Sequence, residues 1–258
     1  MKVDCDAWLS DIFGYDVYRV NVGDSDGGGP EYTAADLESL ASHPGRGERS
    51  FYYTRFPTEQ VETLHVLNPM GFNVVDVNVT FARRPDKQPE WTTRLRLETE
   101  IVDDVLPEHH DAVLDIAASS FTFSRFHLDP RIPVQTANAI KRAWICSYIK
   151  KKRGERLMVA LTGNRPVGFL AVLASTFENR PCRVIDLVAV DTRYQGRGIG
   201  GALVSSFVQR SVDKCDLLRV GTQAANIPSM RLYERGGFSA DQTAYVMHAH
   251  TDKGQVLL

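Results

Sequence analysis

The 258-residue sequence holds only four cysteines, Cys5, Cys146, Cys182 and Cys215, and no two of them form a CxxC pair. Scattered in this way they predict reduced thiols in a cytoplasmic protein rather than a disulfide framework. Charge of one sign is also missing. Thirty Lys and Arg against 32 Asp and Glu leave a formal charge of −2, so neither nucleic acid nor an anionic membrane is the expected partner. No run approaches the roughly 20 apolar residues of a membrane span. The first residues, Met-Lys-Val-Asp-Cys-Asp-Ala-Trp, lack the charged-then-apolar order of a secretory signal. Ser119 and Ser120 sit in no GxSxG context, which excludes the usual serine nucleophile. With 43% hydrophobic and 24% charged residues, the composition also excludes a disordered or fibrous chain. A chain of this length makes one large domain or two small ones, and it buries about three-quarters of its unfolded surface without needing a staple.

Loop composition appears at Gly23–Pro30, at Ser42–Ser50 and at Arg83–Glu90. Pro85 and Pro89 cannot join a central ladder, so the last stretch is the expected boundary between domains at 1–90 and 91–258. Before it, Val61, Leu64 and Leu67 give helical spacing to Thr58–Leu67. Phe72–Phe81 alternates as a strand, with Val75, Val77, Val79 and Phe81 on one side and Asp76, Asn78 and Thr80 on the other. After it, strands are expected at Leu95–Val102, Arg156–Thr162, Val167–Leu173, Arg183–Val190, Leu217–Val220 and Thr243–Ala249. Helices are expected at Pro107–Ser119, Val134–Lys152, Gly198–Val212 and Ile227–Arg235. The turn Gly163-Asn164-Arg165-Pro166 signals a hairpin. The pattern is α+β, a mixed sheet flanked by helices with a smaller N-terminal α+β domain.

The segment Val184–Leu203 carries most chemistry. An apolar strand runs into Gln195-Gly-Arg-Gly-Ile-Gly-Gly201, and a helix opens on the last glycines. Exposed N–H groups at a helix start, with the helix dipole behind them, form an anion site. Gly196, Gly198, Gly200 and Gly201 allow close approach of a pyrophosphate, and Arg193 and Arg197 add positive charge. Gly196–Gly201 also satisfies GxGxxG, yet a dinucleotide fold fits poorly. Asp191–Gln195 separate strand from glycine, the next strand ends at Gly221-Thr222 rather than an acidic residue, and the motif comes late in the chain.

Further on stands Asn226-Ile-Pro-Ser-Met-Arg-Leu-Tyr-Glu-Arg-Gly-Gly-Phe238. Pro228 suits a first helical turn, and Gly236 or Gly237 a left-handed stop. Asn226 is either a cap alone or a member of a site. Tyr233, seven residues on and about two turns away, lies on the same side of the helix, as a core residue or a catalytic one. Together the two segments resemble the GNAT N-acetyltransferase superfamily. The first signature is met by Gln195, Gly198 and Gly200; the second by Asn226, Ser229, Leu232, Tyr233, Gly237 and Phe238. The resemblance covers about Leu95–His250. It implies that residues 195–201, including Ile199, cradle the pyrophosphate of acetyl-CoA or another short acyl-CoA. It further implies that Leu187, Val188, Ala189 and Val190 pair with the pantetheine arm, and that Tyr233 lies near the thioester sulfur.

Ser124-Arg-Phe-His-Leu-Asp-Pro-Arg131, with Ala139–Ile145, is similar to the bacterial TDP-fucosamine acetyltransferases and related amino-sugar N-acyltransferases, which also carry an extra N-terminal α+β domain. Phe13-Gly14 and Gly71–Val79 fall where the matching pieces of that domain stand. That resemblance implies a cytoplasmic enzyme of surface-polysaccharide (O-antigen) biosynthesis that acylates the amine of a dTDP-linked amino sugar. Tyr233 would be the general acid, and the N–H groups near Ala189 and Val190 would hold the oxyanion. Asp76, in the place of an acidic residue near the sugar pocket, is one candidate base, unless it is a solvated carboxylate. Asp186, inside an apolar strand, is the other, since a carboxylate there must be paired or raised in pKa.

Ser124, Arg125 and Phe126 are the expected sugar-nucleotide contacts, with the Arg125 fork matched to phosphate. Lys150-Lys-Lys-Arg153 either reaches a phosphate or is a solvated helix end. His109, His110, His248 and His250 lack a Cys or carboxylate at metal spacing, so no metal is expected. Thr243–Ala249, as an edge strand, could pair two subunits into a homodimer. The rival readings are a GNAT enzyme acting on a peptide N-terminus, polyamine or other small amine, and a coenzyme A-binding module without turnover.

Overall fold

A computed structural model describes residues 1–22, 32–85, 95–103 and 105–257. The expected loop at Gly23–Pro30 and residues 86–90 of the expected boundary stretch Arg83–Glu90 lie outside them. In chain order the elements begin β1 Lys2–Cys5, α1 Ala7–Phe13, β2 Asp16–Asn21, α2 Ala34–Ala41, β3 Ser50–Pro57, α3 Val61–Leu67, β4 Asn73–Arg83 and β5 Glu100–Asp103. There follow α4 His110–Ser119, α5 Arg125–Leu128, α6 Val134–Ile149, β6 Arg156–Thr162, β7 Arg165–Phe177 and β8 Arg180–Val190. The chain closes with α7 Ile199–Ser211, β9 Leu217–Gln223, α8 Ile227–Arg235, β10 Ser239–Asp252 and β11 Gln255–Leu257. No helix among the described residues is long and apolar enough to cross a membrane.

The chain divides into two compact units, but not into two consecutive stretches separated near residue 90. Unit 1 comprises Met1–Asn78, Arg125–Thr136 and Gln242–Leu258; unit 2 comprises Val79–Ser124 and Ala137–Asp241. Strands β4 and β10 contribute to both.

In unit 1 the strand order is β1-β2-β3-β10-β4, with β11 on β10. β2 and β3 are parallel, whereas β1 with β2, β3 with β10 and β10 with β11 are antiparallel. Helix α1 starts at Asp6, whose carboxylate accepts from the Leu9 N–H, and stops at Gly14 in the left-handed region at φ 73°. Tyr52, Phe56, Phe72 and Met247 form the core of this unit. The expectation that Thr243–Ala249 is an edge strand fails. β10 lies between β3 and β4, so its ladder is filled on both sides and it offers no edge for pairing two subunits.

In unit 2 the order is β4-β9-β8-β7-β6-β5, with β8 and β9 parallel and β5 to β8 successively antiparallel. Both faces are covered. Strand β6 sends Met158 and Ala160 to the α7 side, with Leu203, Val204 and Phe207. It sends Leu157, Val159 and Leu161 to the other side, with Val113 and Ile116 of α4 and Ile145 and Tyr148 of α6. That is why β6 and β7 read as continuous apolar runs rather than as alternation. The strand expected from Leu95 begins only at Glu100.

Candidate active site

Strand β8 is irregular at one point. Ala171 of β7 faces Leu187 and Val172 faces Ile185, so Asp186 is the extra residue of a β-bulge. On its other side β8 registers with β9 only from Cys182 to Ile185, opposite Leu217 to Val220. Beyond the bulge, Leu187–Val190 have no registered partner in β9. The Asp191 N–H donates to the Val167 carbonyl at 2.9 Å. Ladder alternation from that bond turns the amide of Ala189 toward β7 and those of Val188 and Val190 away from it. The strand thus presents an open edge of two main-chain units, and the Val190 carbonyl on that edge accepts from the Gln195 side-chain amide at 3.1 Å.

The edge leads into the glycine loop. Gly196 and Gly198 take φ values of 72° and 88°, a region L-residues rarely enter, and Gly198 is the residue before α7. The first helical bond is from the Ala202 N–H to the Gly198 carbonyl at 3.0 Å. The N–H groups of Ile199, Gly200 and Gly201 are therefore the orphan donors of the helix start. Of the two arginines expected here, Arg193 is clamped on Asp191, with Nη2 to Oδ2 at 2.6 Å. Arg197 has no carboxylate partner among the described residues; its guanidinium reaches the Arg193 carbonyl at 3.3 Å and lies 5.3 Å from the Tyr194 ring.

Helix α8 begins as its sequence suggests. Asn226 accepts from the Ser229 N–H at 3.3 Å, so its side-chain oxygen acts as the cap, and Gly237 rather than Gly236 supplies the left-handed stop, at φ 75°. Tyr233 is buried in the core of unit 2, its ring 5.9 Å from Phe81 and 6.2 Å from Phe238. Burial pushes the phenol's pKa up, and a hydrogen bond from Ser229, one turn earlier, opposes that only weakly. Ser229, a match to the motif without an assigned role, thus touches the Tyr233 hydroxyl.

Asp186, expected to be paired or raised in pKa, is paired. Its Oδ2 accepts from Trp144 Nε1 at 2.8 Å, the Tyr148 hydroxyl at 2.7 Å and Arg153 Nε at 2.8 Å, while Oδ1 accepts from Arg153 Nη2 at 3.1 Å. Burial alone would raise its pKa, but the hydrogen bonds from Arg153, Tyr148 and Trp144 outweigh it and hold the carboxyl below its usual range. A carboxylate with four donors is a weak base and a strong tie between α6 and the bulge. Arg153 is also removed from the basic run, leaving Lys150, Lys151 and Lys152 as an exposed helix end. Asp186→Asn is expected to lower unfolding stability by about 2 kcal/mol, the scale of a hydrogen bond to a charged group, since the exposed side of Arg153 is screened by water. It should leave kcat within about threefold. Urea unfolding together with steady-state kinetics checks this, and a stable variant that has lost activity would restore Asp186 as a base.

Asp76 is not the solvated carboxylate of the alternation reading. It is 6% exposed, as Asn78 is 9% and Thr80 7%, while Val75 and Val77 on the apolar side are only half-buried. Ser124 is buried in unit 2; Arg125 and Phe126 belong to unit 1. Phe126 is a packing residue, its ring 4.3 Å from the Arg125 guanidinium and 6.4 Å from His248.

The expectation that His248 and His250 lack a carboxylate is overturned. Asp129, remote in sequence, brings Oδ2 within 2.6 Å of His248 Nδ1 and 2.8 Å of His250 Nε2, and all three residues are buried. These are hydrogen-bond lengths; a tetrahedral metal with ligand bonds of about 2.0–2.1 Å holds such atoms roughly 3.3 Å apart. Burial, reinforced by the Arg125 cation and opposed by Asp129, holds the His248 imidazole down at about 4. The unfolded chain, with a histidine near 6.5, therefore takes up a proton before the folded one does. Stability present above about pH 6.5 is lost as pH falls toward 4, by on the order of 3 kcal/mol. Unfolding midpoints in urea at pH 7 and pH 4.5 should show that loss, and His248→Asn should remove most of it. Equal pH dependence in the two proteins would contradict it.

Residues 111–238 match the sequence model of the Acetyltransferase (GNAT) family. The chain carries a GNAT domain and is an acyl-CoA-dependent N-acyltransferase. Among similar proteins is the spore coat polysaccharide biosynthesis protein SpsD of Bacillus subtilis (strain 168), 28% identical over 78% of this chain and 67% of that one. Among solved structures, the GCN5-related N-acetyltransferase of Sphaerobacter thermophilus superposes with a TM-score of 0.62 at 14% identity, covering 99% of this chain and 78% of that one. The GCN5-related N-acetyltransferase of Kribbella flavida gives 0.57 at 12% identity, over 94% and 82%. At those identities the two structures speak for the fold alone.

Proposed function

We propose that the protein transfers an acetyl or other short acyl group from acyl-CoA to the amine of a dTDP-linked amino sugar, as a step in building a surface polysaccharide. The acyl-CoA half of this reading is carried by the open edge of β8 running into left-handed glycines and three orphan amides. The pantetheine arm pairs with Val188 and Val190. The pyrophosphate takes the N–H groups of Ile199, Gly200 and Gly201, with Arg197 as the nearby cation. The sugar half is supported by the likeness to a polysaccharide biosynthesis protein and by Arg125, a cation with no carboxylate partner among the described residues.

The acceptor must be a neutral amine, because an ammonium has no lone pair. Asp76 is the proposed proton acceptor. The amine then attacks the thioester carbonyl, and the developing oxyanion is held by an outward-facing main-chain N–H of β8 that the pantetheine arm leaves open, an interaction worth roughly 3–4 kcal/mol per donor in proteases. Tyr233 hydrogen-bonds to the departing sulfur and gives it the proton that completes the thiol, and the proton that the attacking nitrogen sheds as the tetrahedral intermediate collapses restores the phenol. The products are the acylated amino sugar and free coenzyme A. Asp76→Asn is expected to lower the acid limb of kcat/KM against pH selectively, whereas Asp186→Asn should not.

A panel of dTDP-amino sugars, polyamines and peptides incubated with short acyl-CoAs, read by mass spectrometry and thiol release, tests the assignment. Acylated nucleotide sugar with one thiol per turnover is the expected result. Acylation of a polyamine or peptide but of no nucleotide sugar would replace the acceptor class. Coenzyme A binding without thiol release from any amine would make the protein a binding module.

A further inference from the structure

We propose that Asp129, acting through His248, is a positioning residue that holds the Arg125 guanidinium as the anion receptor of unit 1. Strand registers place Arg19, Tyr53 and His248 in one row across β2, β3 and β10. The Arg125 guanidinium lies over that row, 4.0 Å from the centre of the Tyr53 ring, with Nη1 3.4 Å from His248 Nε2. Arginine only donates, so His248 Nε2 accepts. The proton of the neutral imidazole is then on Nδ1, where it donates to Asp129 Oδ2 at 2.6 Å. The second lone pair of that oxygen is taken by His250 Nε2 at 2.8 Å.

The consequence is a relay of carboxylate, neutral imidazole and guanidinium. Asp129 fixes the tautomer that Arg125 requires, yet it does not neutralise the arginine by a direct ion pair. The nearby Asp6 attracts Arg125 as a charge but forms no direct ion pair with it. Its carboxylate is engaged by the Tyr53 hydroxyl at 2.8 Å and the Leu9 N–H at 3.0 Å. Arg125 hydrogen-bonds to His248 and to the Tyr53 hydroxyl and has no carboxylate at ion-pair distance among the described residues, so part of its N–H fork is left for an outside partner. Arg19, opposite Asp4 in the β1–β2 register, is exposed in the same row. Two such guanidiniums, one of them stacked and held, match a phosphate or diphosphate. A cation at the Asp129–His248–His250 group would have to break both short hydrogen bonds and sit close to Arg125.

This inference relies on the nucleotide-sugar reading only for the identity of the anion, and the test separates the two. The full-length protein, with coenzyme A saturating throughout so that the glycine loop is filled, is titrated calorimetrically with inorganic pyrophosphate and with dTDP. The wild type should bind both. Arg125→Lys, which loses the fork, and Asp129→Asn should each weaken both by about tenfold, with coenzyme A affinity unchanged. Histidine-labelled ¹⁵N spectra should show His248 as the Nδ1–H tautomer in the wild type. In Asp129→Asn the new amide can donate to Nδ1, move the proton to Nε2 and set it against Arg125, a readout that mere loss of packing does not produce. Pyrophosphate binding without dTDP binding, still dependent on Asp129, keeps the receptor and removes the nucleotide. An Asp129→Asn variant with wild-type affinity for both overturns the positioning role, even if dTDP remains a ligand. Failure of the wild type to bind either anion overturns it as well. So does stoichiometric zinc uptake that abolishes the His248 and His250 N–H signals.

Discussion

Replacing Tyr233 by phenylalanine is expected to lower kcat by about 10²–10⁴-fold, the range for loss of a positioned proton donor. The ring belongs to the core of unit 2 with Phe81 and Phe238, and phenylalanine keeps that packing. Only the hydroxyl and its bond to Ser229 are removed, so stability should fall by no more than about 1 kcal/mol. Acyl-CoA binding should be unchanged. The raised pKa adds a second expectation. A phenol above its usual value stays protonated through pH 9, so the kcat/KM profile should carry no alkaline limb from Tyr233. A thiolate, near 8.5 when free, is a weaker base than this phenolate. Full transfer is therefore uphill until charge has built up on sulfur, and the help is delivered in the transition state. A loss below about threefold in kcat would remove Tyr233 from this role.

Gly198→Val is expected to raise the dissociation constant of acyl-CoA by about 10–100-fold, or roughly 1.4–2.8 kcal/mol. At φ 88° a β-branched residue is a true outlier, and the left-handed region costs an L-residue about 1–2 kcal/mol. The backbone can relieve this only by rotating the residue before α7, which re-aims the orphan amides of Ile199, Gly200 and Gly201. Gly163→Val is the control. It is also left-handed, at φ 58°, with open space where a Cβ would go, but it lies in the β6–β7 turn. It should cost similar stability and leave acyl-CoA affinity untouched. Equal loss of affinity in both variants would mean that general destabilisation, not the loop, is responsible.

The sequence is legible where local chemistry decides structure. The limits of β6 and α8 coincide with the expected ones, because an apolar run between turn residues and an Asn-x-Pro start with a Gly-Gly stop leave little freedom. The elements β1, α1 and β2 carry too few alternations to register; β1 and β2 are held by a ladder that runs through β3 to β10, far along the chain. The turn between β7 and β8 gives no glycine signal because Glu178 and Asn179 adopt the left-handed conformation there. In β4 the alternation has the right period, but it does not separate core from solvent: the polar row Asp76, Asn78 and Thr80 is buried, and so are Val79 and Phe81 of the apolar row. At the site, the glycine loop and Tyr233 stand out through composition. The partners of Asp186 and the Asp129–His248–Arg125 relay join residues that no sequence spacing connects.

The central claim is that the outer edge of β8 and the first amides of α7 receive acyl-CoA. Amide hydrogen exchange of the full-length protein, with and without coenzyme A, tests it residue by residue. Binding should slow exchange at Val188, Val190, Ile199, Gly200 and Gly201, while Leu187 and Ala189, turned toward β7, change little. Tight coenzyme A binding that leaves those five amides exchanging at their free rates would contradict the account.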